Sequence, residues 1–148
     1  MLHREMKWWT WSPGIADTRL VNYRCDNASE GKQLWAAFSR LRYVLNRTAC
    51  ECEYKIGIAS NLAERWLLYQ AAEPGKWKPS HLFILLEVPD RCSAGFAEAG
   101  LIGMSTATKA FQEHKNINVL NSDLGGTGPR KDSPYFVYLA VKKFEQVN

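Results

Sequence analysis

Apolar positions along the chain follow two periods, and these predict the order of helices and strands. In the first third, four apolar residues are spaced by four, three and four positions, which places them on one helical stripe: Leu34, Phe38, Leu41 and Leu45. No glycine or proline interrupts residues 32–46. We therefore expect a helix that begins after a cap at Asn27 or Ser29 and extends to at least Arg40.

Four segments have the pattern of strands, either alternating or continuously apolar: residues 19–25, 53–59, 81–88 and 135–141. In the second segment, Tyr54, Ile56 and Ile58 lie on one face. Pro89 follows the third segment directly and ends it, because proline cannot donate to a strand ladder. These segments predict a small sheet.

Two further helices are expected between these strands. One begins after a cap at Ser60 or Asn61 and ends near Ala72, just before a Pro-Gly pair. The other begins after a cap at Ser93 and extends as far as Gln112. The order of elements predicts an α+β fold, with a small mixed or antiparallel sheet flanked by helices.

Length and composition indicate one domain. The 148 residues and 46% hydrophobic content fit a single core, which we place at about residues 41–141 after an N-terminal extension, strand and helix over residues 1–40. No apolar run approaches the ~20 residues of a membrane span, and the first residues lack the apolar stretch of a signal peptide. We therefore expect a cytoplasmic protein with no membrane partner.

Charge and cysteine spacing narrow the chemistry only slightly. The net charge of +4 permits a polyanionic partner such as DNA but does not require one. The four cysteines include no Cys-x-x-Cys pair and have no matching pair of histidines, so no zinc site is expected.

The strongest local indication of chemistry follows the second predicted strand. Gly57 has no Cβ and so permits a close approach by backbone or substrate. Ser60 and Asn61 then begin a helix whose N-terminal amides favour an anion. Arg65 follows one turn later and Tyr69 lies four residues beyond it on the same face, where a planar guanidinium suits a phosphate group. An ordinary surface arginine beside a packing tyrosine is the alternative interpretation.

This segment resembles the second half of the GIY-YIG nuclease motif. That motif has a Tyr-Ile-Gly strand, a small polar turn, an arginine, and a histidine or tyrosine four residues later. Here the strand reads Lys-Ile-Gly at 55–57, the turn reads Ser-Asn-Leu at 60–62, and Arg65 and Tyr69 follow. Lys55 at the first position is similar to the phage-type branch of the superfamily and to some restriction enzymes.

Two later residues extend the resemblance to about half of the chain. Glu98 resembles the helix glutamate that holds a divalent metal in the family, and Asn121 precedes a glycine-rich turn at 125–128 as a family asparagine does. The resemblance therefore implies Mg²⁺ or Mn²⁺ at Glu98 and a site ordered by Asn121. A lone carboxylate suits Mg²⁺, which keeps several waters. A solvent-facing glutamate and a turn-forming asparagine are the alternatives.

The tyrosine of the first half of the motif has two candidates. Tyr43 lies eleven residues before Tyr54, a normal hairpin spacing for the family, but it also continues the helical stripe. Tyr23 lies on the alternating segment 19–25. Either one would take a proton from water, with Lys55 as the neighbouring cation that lowers the pKa of the phenol.

The resemblance as a whole implies a metal-dependent endonuclease that hydrolyses DNA phosphodiester bonds as a monomer or homodimer. Two other functions remain open. The first is a catalytically inactive nucleic-acid-binding domain of the same fold. The second is an unrelated small α+β interaction protein whose tryptophans anchor an interface.

Overall fold

The described part of the chain forms three helices and four strands in an α+β arrangement, which confirms the predicted fold class. A computed structural model describes residues 29–48, 51–107, 114–117 and 134–142. In chain order the elements are α1 (Glu30–Leu45), β1 (Glu53–Ala59), α2 (Leu62–Gln70), β2 (His81–Val88), α3 (Arg91–Ala107), β3 (Lys115–Asn116) and β4 (Tyr135–Lys142). The strand predicted at 19–25 and the helix end predicted near Gln112 lie outside the described residues.

The strands form one sheet in the order β2-β4-β1-β3. The last strand, β4, lies between β1 and β2 and is antiparallel to both. The two-residue β3 adds to the other edge of β1 in parallel. The interior neighbour of β1 is therefore the strand that is most distant from it along the sequence, and this strand places Tyr138 opposite Gly57.

Helices cover both faces of this sheet. On one face α1 and α3 pack against apolar side chains that include Tyr54 and Ile56. On the other face a smaller cluster joins Leu62 of α2 to Tyr138, with Tyr69 packed at its margin. Successive strand residues point to opposite faces, so Lys55 lies on the α2 side, one position away from Tyr54 and Ile56.

Local side chains fix where the helices begin. Ser29 and Asn61 each accept a backbone N–H from the first turn of their helix, at 3.3 and 3.0 Å respectively. The cap predicted at Ser93 is wrong. Its backbone N–H donates to the Asp90 carboxylate at 2.7 Å and its hydroxyl donates at 3.0 Å, so Asp90 is the capping residue and the helix begins at Arg91.

Helix α1 decides between the two interpretations of Tyr43. The helix continues to Leu45, so Tyr43 lies on a helix, and its assignment to a strand before β1 is wrong. Burial explains the outcome, because Val44 and Leu45 are 0% and 1% exposed and contribute to the core only if the helical stripe continues. The Tyr43 ring packs against that core and carries the Arg47 guanidinium 3.9 Å above its centroid.

Candidate active site

Three of the predicted site residues interact electrostatically in the folded chain. Lys55 lies on β1, Arg65 lies in the first turns of α2, and Glu98 lies on α3. The charge of Glu98 acts on the pKa of Lys55, and the charges of Lys55 and Arg65 both act on the pKa of Glu98. The fold therefore brings these three charges within electrostatic range of one another.

Glu98 is a buried carboxyl group with basic neighbours. Its side chain is among the buried charged groups at 6% exposure. Burial raises the pKa of Glu98 to about 7, against the charges of Lys55, Arg91 and Arg65, which lower it. The cost of removing the carboxylate from water thus exceeds what these cations return, and the group is poised to gain from a further positive charge.

Lys55 is half-buried between charge and aromatic surface. Burial is the main cause that lowers its pKa, the charge of Arg65 adds to the effect, and Glu98 opposes it. Its Nζ lies 5.9 Å from the centroid of the Tyr69 ring, within the range of a cation–π interaction. Lys55 is therefore within electrostatic range of the Glu98 carboxyl group and within cation–π range of Tyr69.

Arg65 keeps most of its donor capacity among the described residues. One guanidinium nitrogen donates to the carbonyl of Ile58 at 3.5 Å, the outer limit of a hydrogen bond. Its backbone N–H donates to the carbonyl of Asn61 and so continues the helix from its capping residue. The side chain is half-buried, beside the N-terminal turn of a nine-residue helix. This combination is suited to binding an anionic oxygen.

Tyr69 is hydrogen-bonded to a second tyrosine that the sequence analysis did not identify. The hydroxyl groups of Tyr69 and Tyr138 are 2.8 Å apart, and the two rings meet edge to face with centroids 6.2 Å apart. The ring of Trp77 lies 6.0 Å from Tyr69 on a further edge-to-face contact. Tyr138 is also within electrostatic range of Arg65 and Glu98.

Gly57 has a different role from the one expected. The residue is buried, and the strand continues past it to Ala59. A Cβ at this position would lie 2.5 Å from Cζ of Tyr138 and closer still to its hydroxyl oxygen. The atom that approaches Gly57 is therefore a side chain from the neighbouring strand, rather than backbone or substrate. The glycine could be identified in the sequence, but the residue that packs against it, Tyr138, depends on the register between β1 and β4.

Glu98 is the one predicted metal ligand, and it lies in the described part of the chain. Within the described ranges, no group of three or more histidine, cysteine, aspartate or glutamate side chains is arranged to hold a metal. Mg²⁺ is often held by one or two carboxylates together with waters and phosphate oxygens, so Glu98 alone is compatible with it. Lys55, Arg91 and Arg65 all lie within electrostatic range of this carboxyl group. Tyr23 and Asn121 lie outside the described residues.

Comparison with known proteins leaves the family of this chain open. Family models, curated proteins and solved structures were all searched, and no match was found in any of them. In the part of the chain that the structure describes, no helix has both the length and the apolar character needed to cross a membrane.

Proposed function

We propose that this chain is a metal-dependent endonuclease that hydrolyses DNA phosphodiester bonds at a site of the GIY-YIG type. The electrostatic cluster of Lys55, Arg65 and Glu98 carries the proposal. A buried carboxyl group and two cations, one of them beside a helix N-terminus, provide opposite charges for a metal ion and a phosphate at one place.

The basic residues and Tyr69 act on the phosphate. Arg65 binds two oxygens of the scissile group through its planar fork of donors. Burial raises the pKa of Tyr69, so its phenol is protonated near neutral pH and acts as a hydrogen-bond donor to a phosphate oxygen. Lys55 adds positive charge from the strand side and orders the Tyr69 ring. These contacts strengthen as negative charge accumulates on the phosphate in the transition state.

Glu98 is the residue that would hold the ion. When bound, Mg²⁺ or Mn²⁺ supplies Lewis-acid stabilisation of the charge on the phosphate and on the leaving 3′ oxygen. Water forms the new bond to phosphorus, the bond to the 3′ oxygen breaks, and one proton of the water must pass to an acceptor. Tyr23 remains the predicted acceptor and Asn121 the predicted ordering residue.

A binding domain without catalysis is the second candidate. The position of Tyr43 on α1 favours it, because one of the two candidates for the catalytic tyrosine is not on a strand. Such a domain would use Lys55 and Arg65 for phosphate binding and would bind DNA without cutting it.

Plasmid nicking tests both candidates. We expect the full chain to convert supercoiled DNA to open circles with Mg²⁺ or Mn²⁺ and to stop when EDTA is added. Glu98→Gln and Arg65→Ala should each lower the rate by at least about 100-fold, because each removes a group that acts on charge in the transition state. Circular dichroism should show that both variants stay folded.

Two substitutions serve as matched controls. Glu64→Gln removes an exposed carboxyl group on α2, and Arg42→Ala removes an exposed guanidinium on α1. Both should retain the wild-type rate. Full nicking by Glu98→Gln and Arg65→Ala would contradict the proposal, and DNA binding without cleavage at any divalent ion would favour the binding domain.

A further inference from the structure

The two hydroxyl groups of Tyr69 and Tyr138 differ in what else they can bind. Tyr138 is 1% exposed, whereas Tyr69 is half-buried at the margin of its cluster. Among the described residues, the hydroxyl of Tyr69 is the one hydrogen-bond partner of the Tyr138 hydroxyl. A buried donor without an acceptor costs about 1–3 kcal/mol, so the Tyr138 proton must be donated to the oxygen of Tyr69.

This direction of donation has a consequence for Tyr69. Its oxygen accepts from Tyr138, so its own proton is available for a partner outside the pair. Arg65 and Glu98 lie in electrostatic range of both tyrosines. The hydroxyl group of Tyr69 can thus donate its proton in a hydrogen bond at the candidate site.

Gly57 makes this arrangement possible. It is paired with Tyr138 across the antiparallel strands β1 and β4, and a Cβ there would occupy the space of the phenol. Trp77 contacts the Tyr69 ring from another side. The position of the Tyr138 hydroxyl is therefore fixed by the sheet, and the position of the Tyr69 hydroxyl is fixed by Tyr138.

We infer that Tyr138 is a positioning residue of the site: held above Gly57, it donates to Tyr69 and so directs the Tyr69 proton toward an anionic oxygen of the substrate. For its catalytic meaning this inference rests on the proposed endonuclease function. It assigns a role to the last strand, which the sequence motifs did not include. It also explains the glycine of the Lys-Ile-Gly strand, because only a residue without a Cβ leaves room for the Tyr138 phenol that bonds to Tyr69.

A double-mutant cycle tests the inference. Tyr138→Phe removes one hydroxyl and keeps the ring, and we expect a roughly 3- to 10-fold lower kcat for nicking with an unchanged KM, the size of one hydrogen bond. Tyr69→Phe should lower kcat more. The double variant should nick at the rate of Tyr69→Phe, because Tyr138 acts only through Tyr69. Equal losses from Tyr138→Phe in both backgrounds would overturn the inference.

The same cycle in unfolding separates this inference from the proposed function. Urea unfolding of the four proteins should show coupling between the two hydroxyl groups, and additive effects would overturn the pair. If the wild type never nicks DNA, the proposed function fails. The unfolding cycle alone then tests whether the hydroxyl groups of Tyr69 and Tyr138 are coupled. Tyr135→Phe is the matched control, since Tyr135 lies on the same strand in the cluster of the opposite face. It should leave both nicking and the Tyr69–Tyr138 coupling unchanged.

Discussion

At the scale of the residue, Glu98 shows why burial and charge must be considered together. A carboxyl group on a helix could be predicted from the sequence, but its environment could not. In the fold, desolvation outweighs three basic neighbours and raises the pKa of Glu98 to about 7. A carboxyl group whose pKa is shifted this far by burial, with basic neighbours around it, is a common feature of functional sites.

This pKa predicts how stability changes with pH in the absence of metal. The folded-state pKa of about 7 lies above the value of 4.5 in the unfolded chain, so protonated Glu98 favours the fold. That contribution is complete below about pH 4.5 and is lost as the pH rises through about 7. The free energy of unfolding should fall over this window, relative to Glu98→Gln, by up to about 3 kcal/mol.

Urea unfolding of wild type and Glu98→Gln in EDTA, at several pH values, measures this difference. Using the variant as reference removes the contribution of other groups that titrate in the same window, such as His81. Parallel pH profiles for the two proteins would show that the Glu98 carboxyl group is solvated in the folded state.

At the scale of the element, the local hydrophobic pattern correctly predicted most helices and strands. It gave wrong predictions for one helix cap and for the secondary structure of Tyr43. The bounds of β1 and β2 match the predicted segments, because both are short apolar runs that end at polar or proline residues. Asp90 replaced Ser93 as a cap because its two carboxylate oxygens bind both the backbone and the side chain of Ser93. Tyr43 fitted both a helix and a hairpin, and core burial decided for the helix.

Two glycines on α3 give a prediction about how this helix packs. A Cβ at Gly103 would meet nothing within 4 Å, whereas a Cβ at Gly100 would lie 2.9 Å from both methyl groups of Leu34 on α1. Gly103→Ala should therefore raise the free energy of unfolding by about 1 kcal/mol through helix propensity. Gly100→Ala should gain less, because Leu34 must move.

Thermal or urea unfolding of the two alanine variants provides the comparison. They are matched, since the same substitution is made three residues apart in one helix. Equal gains would mean that α1 does not approach α3 closely at Gly100.

At the scale of the whole molecule, the proposed function makes a prediction about salt. The net charge of +4 is small, so DNA affinity must depend on placed cations such as Lys55 and Arg65. Two phosphate contacts predict a roughly 10-fold weaker affinity between about 50 and 200 mM salt. Fluorescence anisotropy with duplex DNA and EDTA measures this slope, and Arg65→Ala should make it shallower while Arg42→Ala should not. A DNA affinity that does not change with salt concentration would contradict phosphate binding.

The sequence by itself determined the order of the described elements, the α+β class and the spacing of Arg65 and Tyr69, because these depend on periods of a few residues. It also indicated Lys55 and Glu98 separately. Only the tertiary structure decided that the charges of Lys55 and Glu98 act on each other and that Tyr43 is helical. It also decided that Tyr138 packs over Gly57 and is hydrogen-bonded to Tyr69. The physical reason is that β4 pairs with β1 across about eighty residues of chain, and such a register is selected by burial on both faces of the sheet rather than by local pattern.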